Sequence, residues 1–330
     1  MPIMKKPIAK KTIAKKTARR TSQSKPAVNR VVVKSATASK TDKTSASANK
    51  TVTEKAVSGS LGVDLTIDAA RTIQELSDAL RKFKEVSGFN GYIIGLTGGV
   101  DSAVAAAIAV KAVGKENVHP YCLPYKTTLH TTIDARLVAR WLDLHLTEIE
   151  ITRMIQTYYA DAKSVNPVRS GNKMARERMS ILFDQAFEKR LLVLGFINRT
   201  ELALGYFTWF GDGGCSIDVL GQLYKTQVRS LAVELGAPEE IQRKAPSADL
   251  WPDQTDEEEL GLSYEEVDQF FALTLDRKIT SRSALIKAGF SHEFIDRTLA
   301  LTNRYSFKRK CPTVPALGLS DIPDKLVLKK

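Results

Sequence analysis

Two consecutive glycines, Gly98 and Gly99, stand between an apolar run at residues 91–96 (GYIIGL) and an alanine-rich stretch from Val100 to Val113. That order describes a buried strand turning abruptly into a helix, a junction that belongs in an open sheet with helices packed on it. Further short apolar runs at 118–123 (VHPYCL), 191–196 (LLVLGF) and, more weakly, 145–151 (HLTEIEI) are separated by stretches with helical periodicity. We therefore expect an α/β fold with a parallel sheet and helices on both faces. Upstream, Ile67, Ala70, Ile73, Leu76 and Leu80 recur every three or four residues, which predicts an amphipathic helix over Leu61–Gly88 that stops at Gly88. From about Gln222 onward the chain reads as mainly helical, with Ser263 as a cap ahead of Glu266 and Ser291 as a cap ahead of Phe294 and Ile295.

In an open α/β sheet, ligands bind where strands end and helices begin. The segment Gly95, Leu96, Thr97, Gly98, Gly99, Val100, Asp101 and Ser102 lies at such a place. Gly98 and Gly99 permit positive φ and close approach of an anion to the backbone. Thr97 and Ser102 supply hydroxyls, and the helix start supplies unpaired N–H groups and a favourable dipole. Asp101 is the odd member, because a carboxylate repels phosphate unless a cation stands between them; a magnesium ion resolves this. The plainer alternative is a tight Gly-Gly turn with Asp or Ser as a helix cap. The chain has neither the G-x-x-x-x-G-K-[ST] of an ordinary P-loop nor a G-x-G-x-x-G after the strand.

The net charge of +12 belongs to one end of the chain. Residues 1–60 carry 15 Lys and Arg against two acids, Asp42 and Glu54, and the remaining 34 basic and 35 acidic residues nearly cancel. No Phe, Tyr or Trp occurs in that tail, so nothing there offsets the entropy of ordering, and we expect 1–60 to be disordered. Three readings of it are open: a solvated tail without a part in the chemistry, a weak nucleic-acid-binding arm whose Lys-Lys doublets resemble those of linker-histone tails, and an organelle targeting peptide. No run of about twenty apolar residues exists to make a membrane span. Cys122, Cys215 and Cys311 lie too far apart for a CxxC or zinc-ligand pair, which fits a reducing, cytoplasmic setting.

The glycine turn resembles the S-G-G-x-D-S loop of the N-type ATP pyrophosphatases, with Thr97 in place of the first Ser. Later segments narrow the resemblance to the NAD synthetase family: Asn172 to Met179 (NKMARERM), Asn198 to Glu201 (NRTE), Gly205 to Gly213 (GYFTWFGDG), Leu223 to Val228 (LYKTQV), and Lys244 to Trp251 with Gln254-Thr255-Asp256-Glu257, Glu259-Leu260-Gly261 and Tyr264. They follow the family's order over about 65–315. The resemblance implies an adenine nucleotide alpha hydrolase-like, Rossmann-like domain over 61–330. It also implies a homodimer and a carbon–nitrogen ligase that amidates deamido-NAD with ammonia at the expense of ATP, giving NAD, AMP and pyrophosphate through an acyl adenylate. By the same resemblance, Asp101 and Glu201 hold Mg²⁺, and residues 95–102 with Lys225 and Ser247 hold ATP and pyrophosphate. Asp212 and Lys225 are the catalytic groups. Taken alone, Glu201 reads as a solvated helix acid, Lys225 as surface, Arg176 and Arg178 as a salt-bridged helix face, and Asp212 as a turn residue. The tail is too short, and lacks any Cys, to be a glutaminase domain, so free ammonia, or ammonia from a separate protein, is the expected donor.

The departures from the family pattern fall on the acceptor side, which the resemblance assigns to Arg176, Trp209, Ser216, Phe307 and Lys308. Phe196 stands where Thr is common, Trp209 where a basic residue is common, Ser216 where the acid of GDGxxD is common although Asp218 follows two positions on, and Phe307 where His is common. Phe196 and Phe307 also read as plain core residues. The expectation is that ATP activation is kept while the acceptor pocket is altered. Alternatives are a different acceptor carboxylate, a tRNA acceptor, or a catalytically silent nucleic-acid-binding homologue.

Overall fold

The computed structural model describes residues 62–126, 129–247, 250 and 254–310; for 129–131 it describes the backbone only. The basic tail 1–60 lies outside the described residues. In chain order, α1 (Ala69–Ser87), β1 (Gly91–Gly95), α2 (Val100–Val113), β2 (Val118–Cys122), α3 (Leu129–Trp141), β3 (Thr147–Glu148), α4 (Thr152–Tyr158), α5 (Pro167–Lys189) and β4 (Leu191–Gly195) form the first part. They are followed by α6 (Arg199–Leu204), β5 (Ile217–Asp218), α7 (Lys225–Glu234), α8 (Glu239–Arg243), α9 (Asp256–Leu260), α10 (Tyr264–Phe271), α11 (Arg282–Lys287) and α12 (His292–Arg304). The strands pair in parallel in the order β3-β2-β1-β4-β5.

Side chains alternate across the central strands, as the pleat requires. Tyr92, Ile94, Leu192 and Leu194 face one core with residues of α1, α2, α3 and α7, whereas Ile93, Leu191 and Val193 face a second core with α4 and α5. Both faces are therefore covered, which is why the strands read as unbroken apolar runs. The alanines of α2 let it press between the sheet and α1 and α7; Ala103, Ala105, Ala106 and Ala109 are fully buried. A third core gathers Val267, Phe270 and Phe271 of α10 with Phe290, Phe294 and Ile295.

The amphipathic helix starts later than its periodicity predicts. Asp68 caps it by accepting from the Arg71 amide, and it ends at Gly88 in the left-handed region. Residues 62–68 are not helical. Leu65 packs on the third core, and the Val63 amide and carbonyl both bond the Gln269 side chain. Tertiary partners there outbid local helical bonding. The weak run at 145–151 yields only the two residues of β3, and β5, also two residues long, has no counterpart in the apolar pattern. Ser263 and Ser291 cap α10 and α12 by accepting from the Glu266 and Phe294 amides.

Candidate active site

The carboxyl ends of β1 and β4 open into a cleft of about 580 Å³. The glycine turn enters it from β1. Gly98 takes φ +75°, as expected, but Gly99 does not: it caps α2 in extended geometry at φ −90°. Its lack of a side chain still matters, because a Cβ there would approach Thr97 Oγ1 to 3.3 Å. The two hydroxyls divide their roles. Thr97 is exposed at the cleft, whereas buried Ser102 braces the turn from inside, with its Oγ 3.3 Å from the Thr97 amide, 3.1 Å from Thr97 Oγ1 and 3.1 Å from the Gly99 carbonyl.

Three charged residues from three distant segments meet at the turn. Asp101 lies in the first turn of α2, Glu201 is the third residue of α6, and Lys225 opens α7. The Lys225 ammonium, only 2 % exposed, bonds Asp101 and lies 3.5 Å from Glu201 Oε1. Asn198 donates from Nδ2 to Asp101 Oδ1 (3.0 Å) and from its backbone to Glu201 Oε2 (3.2 Å), closing a capping box on α6. Glu201 is thus neither solvated nor a plain surface acid, and Lys225 is not on the surface. Burial raises the Glu201 carboxyl above its ordinary range against the pull of Lys225. Burial opposes the charge on Lys225, yet Asp101 and Glu201 together hold the ammonium above its usual value.

Two carboxylates flanking a glycine turn at a helix start form a fitting set for magnesium, which takes one or two carboxylates and completes its shell with water and phosphate oxygens. Among the described residues no group of three or more His, Cys, Asp or Glu offers an all-protein cage. Behind this pair, the Tyr264 hydroxyl lies 3.2 Å from Glu201 Oε1 and 3.0 Å from Asp256 Oδ2, and the Tyr206 hydroxyl lies 2.8 Å from Glu259 Oε2. In the sequence these residues stand only as motif members, with no task that local pattern assigns them.

The opposite wall holds most of the expected acceptor-side residues. Arg176 on α5 donates from Nε to the Trp209 carbonyl (3.1 Å). Trp209 meets Phe307 edge to face at 5.1 Å and Phe210 at 4.5 Å, so two of the altered positions form one aromatic wall rather than separate core residues. Phe196 is partly buried against the first core and also lines the cleft. Lys308 lines the cleft too, but its ammonium is held by the carbonyls of Gly205 (2.8 Å) and Phe207 (2.7 Å). Asp212 accepts from the Thr208 amide at 2.9 Å, closing its own loop while lining the cleft, and burial raises its carboxyl. The salt-bridged face expected around Arg176 and Arg178 forms elsewhere: Glu177 pairs with Lys173, and Arg178 donates to the Leu123 carbonyl. Ser216 is not brought to the cleft. Its hydroxyl accepts from the Val193 amide (3.0 Å) and serves the sheet, while the nearby Asp218 is half-buried, with its carboxyl pushed up to about 7 chiefly by desolvation. Ser247 lines the cleft.

Comparison with known proteins gives one family. The NAD synthase family model matches residues 72–312. The NH(3)-dependent NAD(+) synthetase of Fusobacterium nucleatum is 41% identical over 251 residues, covering 76% of this chain and 97% of the relative; that of Trichlorobacter lovleyi is 43% identical over 223 residues, covering 67% and 81%. Among solved structures, NMN synthetase from Francisella tularensis superposes with a TM-score of 0.68 at 33% identity, covering 76% of this chain and 99% of that one. NH3-dependent NAD synthetase from Campylobacter jejuni superposes at 0.65 with 27% identity, covering 76% and 100%.

Proposed function

The chain belongs to the NAD synthase family, and we propose that it amidates the nicotinate carboxyl of deamido-NAD with ammonia, splitting ATP to AMP and pyrophosphate. The observation that carries this reading is the meeting of Asp101, Glu201 and Lys225 beside the glycine turn. A carboxylate does not lose oxide to ammonia, so the acid must first be activated. In our reading the nicotinate oxygen attacks the α-phosphorus of ATP, and the resulting acyl adenylate is opened by ammonia with release of AMP. The amides of the turn and the start of α2 receive the β- and γ-phosphoryl groups, and Lys225 neutralises the charge that gathers on the leaving pyrophosphate. Mg²⁺, held by Asp101 and Glu201, would shield the phosphate charge that Asp101 otherwise repels. Ser247 would place a hydroxyl on ATP. Arg176 would anchor the acceptor against the wall of Trp209 and Phe307 beside Lys308, and Asp212 would receive a proton from ammonium.

Mass spectrometry of the products from ATP, Mg²⁺, ammonium and deamido-NAD tests the proposal. NAD with AMP and pyrophosphate is expected; ADP with phosphate, or no amide, would overturn it. A second reading, a shorter nicotinate nucleotide as acceptor, is favoured by the aromatic wall, since Trp209 and Phe307 replace charged or ionisable groups by rings. The likeness to an NMN synthetase points the same way. Offering nicotinate mononucleotide in the same assay decides between the acceptors.

We further propose that the protein acts in the cytoplasm and that it is a homodimer. Phe183 and Phe187, one turn apart on α5, are 44 % and 87 % exposed, and a second copy would cover them. Sedimentation should give a dimer that Phe187→Asp shifts to monomer; a wild-type monomer at assay concentration refutes the assembly.

A further inference from the structure

We propose that α10 sets the geometry of the reacting groups, with Asp268 and Tyr264 as positioning residues for Lys225 and Glu201. This rests on the proposed roles of those two groups. Glu201 and Lys225 sit at the N-termini of different helices, and α6, with six residues, is too short to hold its own orientation. Something outside both must register them.

Asp268 ties the backbones together. Its side chain is fully buried, and its hydrogen bonds run to these two helix starts: Oδ1 accepts from the Thr200 hydroxyl, and Oδ2 accepts from the Thr226 amide (2.9 Å) and the Thr226 hydroxyl (2.8 Å). The Thr200 hydroxyl in turn accepts from the Lys225 amide at 3.1 Å. Thr200 immediately precedes Glu201, and Thr226 immediately follows Lys225. One carboxylate therefore satisfies the orphan Thr226 amide at the start of α7, where negative charge is favoured, and clamps that start to α6 through the Thr200 hydroxyl.

Tyr264 fixes the side-chain ends. It lies four residues before Asp268, so both project from one side of α10. Its ring lies 5.1 Å from the Lys225 ammonium, and its hydroxyl is 3.2 Å from Glu201 Oε1. With Asn198 donating to Oε2, both oxygens of Glu201 have partners before any ligand arrives. Along its length α10 is anchored by Val267, Phe270 and Phe271 in the third core. Rigidity of that core thus reaches the site through a single helix.

Tyr264→Phe, Thr200→Val and Thr200→Ser in the full chain test this. ATP binding is measured by calorimetry with Mg²⁺ and with chelator, alongside kcat, acceptor KM and melting temperature. Tyr264→Phe and Thr200→Val should stay folded, weaken Mg²⁺-dependent ATP binding and lower kcat by about tenfold or more, and leave metal-free ATP affinity and acceptor KM within about twofold. Thr200→Ser, which keeps the hydroxyl, should behave as wild type. A folded Tyr264→Phe with wild-type Mg²⁺-dependent binding overturns the proposal. So does an equal loss with and without Mg²⁺, which would mean a cleft loosened in general, or a Thr200→Ser as impaired as Thr200→Val. A wild-type protein whose ATP affinity does not respond to Mg²⁺ would instead remove the assignment of Asp101 and Glu201 on which the proposal stands.

Discussion

Lys225 has two carboxylates and almost no water around it, and its removal has two consequences that can be separated. Lys225→Met leaves Asp101 and Glu201 without their ammonium, an arrangement that costs about 3–5 kcal/mol when a buried ion pair loses one partner. We expect a lowered melting temperature together with a loss in kcat of about a hundredfold or more. Adding Glu201→Gln should restore part of the stability and none of the rate. If the double variant is no more stable than Lys225→Met, the two charges are not coupled as described. Asp218 gives a pH prediction. Its carboxyl is raised from 3.8 to about 7, chiefly by burial, so the native state holds a proton that the unfolded chain releases. Its contribution to stability is complete below pH 3.8 and is lost as pH rises through about 7. Asp218→Asn removes this titration, so wild type minus Asp218→Asn stability, from urea melts, should fall steadily across that window. A constant difference refutes it. Of the residues involved, Asp101, Glu201 and Lys225 were legible in the sequence because family motifs mark them. Asp268 and the task of Thr200 were not, since their partners lie on elements whose adjacency no local pattern encodes.

At the scale of elements, the glycine turn depends on one backbone conformation more than on any side chain. Gly98 sits at φ +75°, where an L-residue costs about 1–2 kcal/mol. Gly98→Ala should lower the melting temperature by an amount matching that cost and weaken ATP binding, whereas Gly88→Ala, at φ +71° but remote from the cleft, should lower stability alone. Equal ATP affinity in both variants would show that the turn is not the phosphate site. The main strands and the alanine helix were readable because each buries both faces or nearly all of its surface, which leaves unbroken apolar runs. β3 and β5 were unreadable as strands of two residues, whose pairing is decided by their neighbours. The start of α1 was misplaced because Leu65 satisfies a distant core and not the helix its spacing describes.

For the whole molecule, charge is divided along the chain. We propose that residues 61–330 carry the reaction and that the basic residues of 1–60 contribute only polyanion binding. Deleting 1–60 should leave kcat and KM within about twofold and abolish a salt-sensitive retention on heparin. Loss of turnover in a folded truncation would contradict this division. The sequence alone determined the α/β class, the position of the glycine turn and the family, because these rest on local periodicity, backbone permissiveness and ordered motifs that survive without knowledge of contacts. Only the tertiary structure decided that Ser216 serves the sheet, that Trp209 and Phe307 share one wall, and that α10 stands behind Glu201 and Lys225. Those outcomes depend on which distant segments a closed core brings within hydrogen-bonding range, and that selection is made by packing across the whole chain.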